Sequence, residues 1–168
     1  MASVDYFGIK ERIVAILKDD TTNLYNASAS DKTKFRKIEA GAPDMNKPIQ
    51  GPFPRIFVTS DSNIDEMVEV GSKISNAPKI IRHTMRFLII VVVDGKDGPK
   101  AEETADDFVK LIIEKLRTIS DLRSPGGAES TQLADESMVE RVDVLSREYI
   151  GSNVTGRTIR LKVISTSS

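Results

Sequence analysis

The pattern of hydrophobic and polar positions is clearest in the middle of the chain. Met85–Val93 (MRFLIIVVV) is a nine-residue run with one charge, Arg86, and many β-branched side chains. A half-solvated strand would alternate, so an unbroken run predicts a strand covered on both faces and therefore central in its sheet. Ile80, Ile81 and Thr84 also suit a sheet, which extends the expected strand from Lys79 to Val93. After the turn DGKDGP (Asp94–Pro99), the spacing predicts an amphipathic helix reaching about Leu122. Pro99 fits the first helical position, with Glu102, Glu103, Asp106 and Asp107 early and Lys110, Lys115 and Arg117 late, as the helix dipole favours. Ala101, Ala105, Phe108, Ile112, Leu116 and Ile119 form its apolar stripe. Val109 and Ile113 widen the stripe on one flank and Leu111 on the other, so more than one partner surface is expected to cover this helix. Lys115 lies inside the stripe, where it either snorkels to water or meets a buried carboxylate.

Upstream, Ser3 can cap a helix that places Tyr6, Ile9, Ile13, Ile16 and Leu17 on one side and stops near Lys18. Phe7 and Val14 fall on another side, which implies a wide buried face or an intersubunit contact. A short strand around Leu24 and Tyr25 precedes a weakly periodic stretch to about Pro54, containing KTKFRKI and GAPDMNKPIQGPFP. Loops beyond about 12–15 residues in compact domains are usually functional or disordered, and the prolines from Pro43 to Pro54 favour an extended arm over residues 26–54. Arg55–Thr59 predicts a strand, and Ile64–Val70 either a strand or a turn.

Ser124-Pro125-Gly126-Gly127 ends the long helix, and Ser137–Ile150 and Thr158–Ser165 predict a hairpin through a turn at Gly151–Gly156. On the last strand Ile159, Leu161 and Val163 face one way, while Arg160, Lys162 and Ile164 face a solvated or polar side. The order helix, arm, strand, strand, helix, strand, strand predicts one α+β domain over residues 1–168. Its sheet is mainly antiparallel with about four to five strands, two main helices pack on one face, and the arm is extended.

Composition narrows the function classes. The 168 residues, 39% hydrophobic, suit a single core. With 24 Lys plus Arg against 25 Asp plus Glu, the net charge of -1 gives no general pull toward nucleic acid. The absence of cysteine excludes disulfides, thiolate zinc sites and cysteine nucleophiles. No export leader is visible, and the longest apolar run, Phe87–Val93, falls short of the roughly 20 residues of a membrane span, so a soluble protein is expected.

Candidate chemistry is sparse. His83 is the only histidine, which excludes histidine-pair metal sites and favours a strand histidine over a catalytic one. Asp94, Asp97, Asp106 and Asp107 could hold a hard cation, although the first two suit a turn and the others a solvated helix face. Gly95 and Gly98 match neither a P-loop nor G-x-G-x-x-G. The basic run Lys32, Lys34, Arg36 and Lys37, interleaved with Phe35, could meet a phosphate backbone, but neighbouring Glu39 fits a solvated loop. No catalytic, cofactor or metal set is expected.

The segments IKERIVAILK, PFPRIFV, HTMRFLIIVVVDG, AEETADDFVKLIIEKL, VDVLSREYIG and GRTIRLKVIS together span most of the chain. In their order and pattern the sequence resembles the tail terminator and tail completion proteins of tailed bacteriophages and phage-like contractile particles. The resemblance implies a virion structural protein without catalysis or cofactor: a homo-oligomeric ring, typically a hexamer, that ends the tail tube and offers a docking surface to the head connector. The implied partners are the tail tube protein, a neck or connector protein and, in contractile particles, the sheath, with DNA only passing through a channel. The implied location is the virion tail or neck, after assembly in the host cytoplasm. The arm from Asn26 to Pro54 is long for the smaller members, which keeps open a neck or head–tail joining role. On this resemblance Phe35, Ile38 and Phe53 of the arm and Phe7 and Val14 of the first helix are expected to contact neighbouring subunits, and Arg160 and Lys162 to face a channel or the tube. Two other classes stay open: a small enzyme using Asp94 and Asp97 with His83, and a nucleic-acid-binding module on the basic run.

Overall fold

Asp5 stands before the first helical turn, where its Oδ1 accepts the Gly8 N–H at 2.8 Å and starts α1 (Tyr6–Lys18). The computed structural model describes residues 5–19, 24–28, 33–44, 46–70, 80–122, 134–145 and 154–167. Ser3, expected as the cap, lies outside them, as do Lys32, Ser124–Gly127 and the first residues of the expected turn at Gly151. After α1 come β1 (Lys37–Ala40), β2 (Arg55–Val70), β3 (Ile80–Asp94), a 3-10 turn at Gly95–Asp97, α2 (Pro99–Thr118), β4 (Glu136–Val144) and β5 (Val154–Ser167). The strands form one five-stranded sheet in the order β1-β2-β3-β5-β4, with β1 parallel to β2 and every other pair antiparallel. This is the α+β fold expected from the sequence.

The unbroken apolar run owes its composition to burial on both sides, as expected of a central strand. Met85, Phe87, Ile89, Val91 and Val93 of β3 are buried under α1 and α2, together with Ile56 and Val58 of β2 and Ile159, Leu161 and Val163 of β5. Ile90 and Val92 are buried on the opposite face, beside Phe57 of β2 and in one cluster with Ile49 and the half-buried Phe53. Helices therefore cover one face, and the segment before β2 covers part of the other.

That second cover corrects the expectation of an extended arm. Phe35 bridges Tyr25, Arg36 N–H donates to the Pro54 carbonyl at 2.9 Å, and Lys37–Ala40 joins the sheet beside Arg55–Val58. Four residues are too short to show strand periodicity in a sequence, which is why β1 was not anticipated. The ambiguous Ile64–Val70 is strand, paired to Ile80–Met85 after a register shift between Ser60 and Asp65. Helix α2 ends at Thr118, short of the expected Leu122. Leu122 instead adopts φ 52° with its side chain fully buried and its carbonyl accepting from Arg12 at 3.0 Å.

One glycine is dictated by the sheet. A Cβ at Gly156 would sit 2.2 Å from the Val91 carbonyl oxygen, so β5 can approach the central strand there only without a side chain.

Candidate assembly surfaces

The two edges of the sheet differ from its middle in what they expose. Among the described residues β4 has no strand on its outer side, and β1 has only the Leu24–Asn26 segment, which bridges Phe35 just before it. At the β1 end, α1 turns one flank toward α2, with Arg12 reaching the Leu122 carbonyl and Asp19 reaching Lys115. Helical spacing puts Phe7, Val14 and Lys18 on the flank away from α2. Lys18 lies over the Tyr25 ring at 5.3 Å and Lys10 over Phe7 at 5.7 Å. Phe7 is 58% exposed, while Val14 is half-buried against the core. Of the expected intersubunit residues, Phe7 therefore offers the most surface.

Phe35 and Ile38 require a correction. Both are fully buried, and Phe35 packs on Phe108 of α2 with ring centroids 4.2 Å apart. Their apolar surface is used inside the protomer and cannot reach a neighbour. Phe53 is half-buried in the small cluster on the opposite face.

The other edge was missed in the sequence. On the helix side of β4, Val142 and Val144 are 40% and 74% exposed, and Met138 on the other side is 44% exposed. Their alternation with Arg141 and Asp143 was the available signal, hidden because an apolar position every second residue normally means a buried face. Leu111, on the outer flank of α2, and Val68 and Ile80, at the overhanging end of the β2–β3 ribbon, complete the exposed large apolar side chains among the described residues.

On β5, Arg160 and Lys162 do face away from the helices, with Ile159, Leu161 and Val163 buried opposite. Arg160 Nε lies 2.9 Å from Asp61 Oδ2 in a geometry that makes an ion pair and no hydrogen bond. Its charge is therefore partly neutralised within the sheet. Met138 and Arg86 are the cross-strand neighbours of Lys162, and Arg86 pairs with Glu140 at 3.3 Å. Of the basic run, Lys37 pairs with Glu39 at 3.0 Å, and Lys34 and Arg36 are half-buried. Lys115, mostly buried, meets Asp19 at 3.3 Å, the second of the two alternatives for a lysine in an apolar stripe.

The catalytic candidates are kept apart. His83 and Asp94 stand eleven residues apart on the single strand β3, about 36 Å at the rise of a strand. Asp94 Oδ1 accepts from Lys96 N–H, Asp106 pairs with Arg157 at 2.8 Å, and Asp107 pairs with Lys110 at 3.7 Å. Among the described residues no group of His, Asp and Glu could hold a metal ion.

A pocket of about 320 Å³ opens between β1, β2 and the segment leading into β2, lined by Pro43, Pro48, Ile49, Arg55, Glu39 and Phe57 among others. The Arg55 guanidinium stacks on Phe57 at 4.4 Å, donates to the Gln50 carbonyl at 2.7 Å and pairs closely with Glu39. Burial pushes the Glu39 carboxyl up, but hydrogen bonds from Arg55 and Lys37 and their charges outweigh it and hold the group below its usual range. A lowered folded pKa contributes stability that is present at neutral pH and lost as the pH falls through that folded value. Glu39→Gln is therefore expected to flatten the acid limb of a stability–pH curve below about pH 4.5. An unchanged acid limb in chemical denaturation would contradict the pairing.

The chain matches no model of a known protein family and no curated protein. No helix among the described residues is long and apolar enough to cross a membrane.

Proposed function

We propose that this chain is a structural subunit of a phage tail or phage-like contractile particle, in which copies arranged head to tail close a ring. The ring ends the tail tube and gives the head connector a surface on which to dock, and the subunit acts by assembly alone. The observation that supports this most is the pair of unlike sheet edges, each with exposed apolar side chains, Phe7 at one and Val142 and Val144 at the other. Two different patches at opposite ends of a protomer suit heterologous association, which closes into rings or runs on as filaments. The order of elements that resembles tail terminators directs the reading to the tail, and tube, connector and sheath are the partners it names. With Phe35 and Ile38 in the core, the reach that favoured a neck-joining role is reduced, so the terminator role is preferred.

Deleting the gene from a genome that produces such particles tests the role. Tubes of uncontrolled length or headless tails are expected. Particles with normal tail lengths and attached heads would refute it.

A further inference from the structure

We propose that the β4 edge of one copy docks on the α1–β1 edge of the next, with an acidic edge meeting a basic one. The proposal rests on the ring reading above and assigns its interface. Along the β4 edge, Arg86 pairs with Glu140 and Arg141 with Asp143, which leaves Asp135 and Glu136 as its excess acid. At the opposite end, Lys10, Lys18, Lys34, Arg36 and Lys37 stand against Asp5, Glu11 and Glu39, an excess of base. A molecule with a net charge of -1 thus has acid gathered at one end of its sheet and base at the other.

This separation selects the pairing. Two β4 edges would repel, as would two α1–β1 edges, whereas unlike edges attract, so the charges oppose a two-fold dimer and favour a directional contact. The apolar groups agree in layer as well as in end. Val142 and Val144 lie on the helix side of β4, and Phe7 and Val14 lie on the helix layer at the other end, so they would meet in one stratum. The backbone is compatible too. Leu145 N–H donates inward to the Gly156 carbonyl at 3.1 Å. By the alternation of an antiparallel ladder, Val142 and Val144 point their N–H groups outward, where another strand can accept them. The occupant is a second copy of this chain, because the complementary edge is its own.

A charge exchange tests the pairing on the full chain. One variant carries Glu136→Lys with Asp143→Lys and the other Lys34→Glu with Lys37→Glu, all at exposed or half-exposed positions. Sedimentation velocity is run on each alone and on an equimolar mixture, after circular dichroism shows both folded. Each variant alone is expected to sediment as a monomer, since its two edges now carry the same sign, and the mixture to recover the wild-type assembly. Either variant keeping the wild-type mass, or a mixture that stays monomeric, overturns the pairing. If a double variant does not fold, Val144→Lys serves in its place, since its side chain is largely solvent-exposed. It is expected to weaken association by roughly tenfold or more, and unchanged association overturns the pairing equally. A wild-type chain that never associates would sink the ring reading itself, whereas wild-type rings with unaffected variants would sink only this interface.

Discussion

Phe35→Ala is expected to lower the free energy of unfolding by about 3–5 kcal/mol, as removal of a buried aromatic from a packed core does. The side chain is fully buried and packs on Phe108, so the deletion opens a cavity between the strand-like segment before β1 and helix α2. Urea denaturation of wild type and variant measures the difference. Phe7→Ala supplies the contrast: with 58% of its surface exposed, it should change monomer stability by no more than about 0.5 kcal/mol. An arm that reached outward would give the opposite ranking, with Phe35 nearly silent in the isolated chain. A change below about 1 kcal/mol at Phe35 would therefore contradict the folded-down arrangement of residues 33–54.

The second large effect is expected at the end of α1. Lys115 and Asp19 are 11% and 20% exposed at their side chains, and their pair ties α2 to the C-terminus of α1. Asp19→Ala takes this carboxylate from an ammonium within an apolar stripe, at a cost of about 1–3 kcal/mol because solvent and the lysine's other contacts still reach it. Lys115→Met keeps the stem and leaves the better-solvated Asp19 carboxylate, so it should cost less, about 1 kcal/mol. The double substitution should recover most of what Asp19→Ala loses, and the resulting cycle isolates the coupling. Additive losses, with no recovery in the double variant, would show that the carboxylate does not compensate the lysine.

The elements legible in the sequence are those whose periodicity comes from their own burial. Strand β3 shows its central position because both of its faces are packed, and α2 shows its stripe because Ala101 to Leu116 lie against one sheet. The face of β5 was legible for the same reason, since Ile159, Leu161 and Val163 alternate with polar neighbours across a single buried surface. Strand β1 was hidden because its four residues, KIEA, are placed by pairing with β2 and by Phe35 beneath α2, which are tertiary causes. The proline-rich stretch suggested extension, and it is used instead to bring Ile49 and Phe53 onto the second face of the sheet.

The site was less legible than the fold. The resemblance placed Phe35, Ile38 and Phe7 at contacts between subunits, and of these Phe7 is exposed while Phe35 and Ile38 are buried within the protomer. A sequence does not say which apolar side chains the protomer itself consumes. Nor did Val142 and Val144 stand out, since exposure on an edge strand depends on how far α2 reaches across the sheet. The segregation of charge became visible only when the strand order brought Lys34–Lys37 to one end and Asp135–Asp143 to the other. In the linear chain these runs are about one hundred residues apart and the net charge conceals them.

Imaging the purified full-length protein by negative stain at micromolar concentration, with its mass measured in parallel, tests most directly whether this chain is built to assemble. Closed rings with a central opening, and a mass several times 18.5 kDa, are the predicted result. A uniform population of monomers at every concentration, or two-fold dimers without an opening, would contradict it.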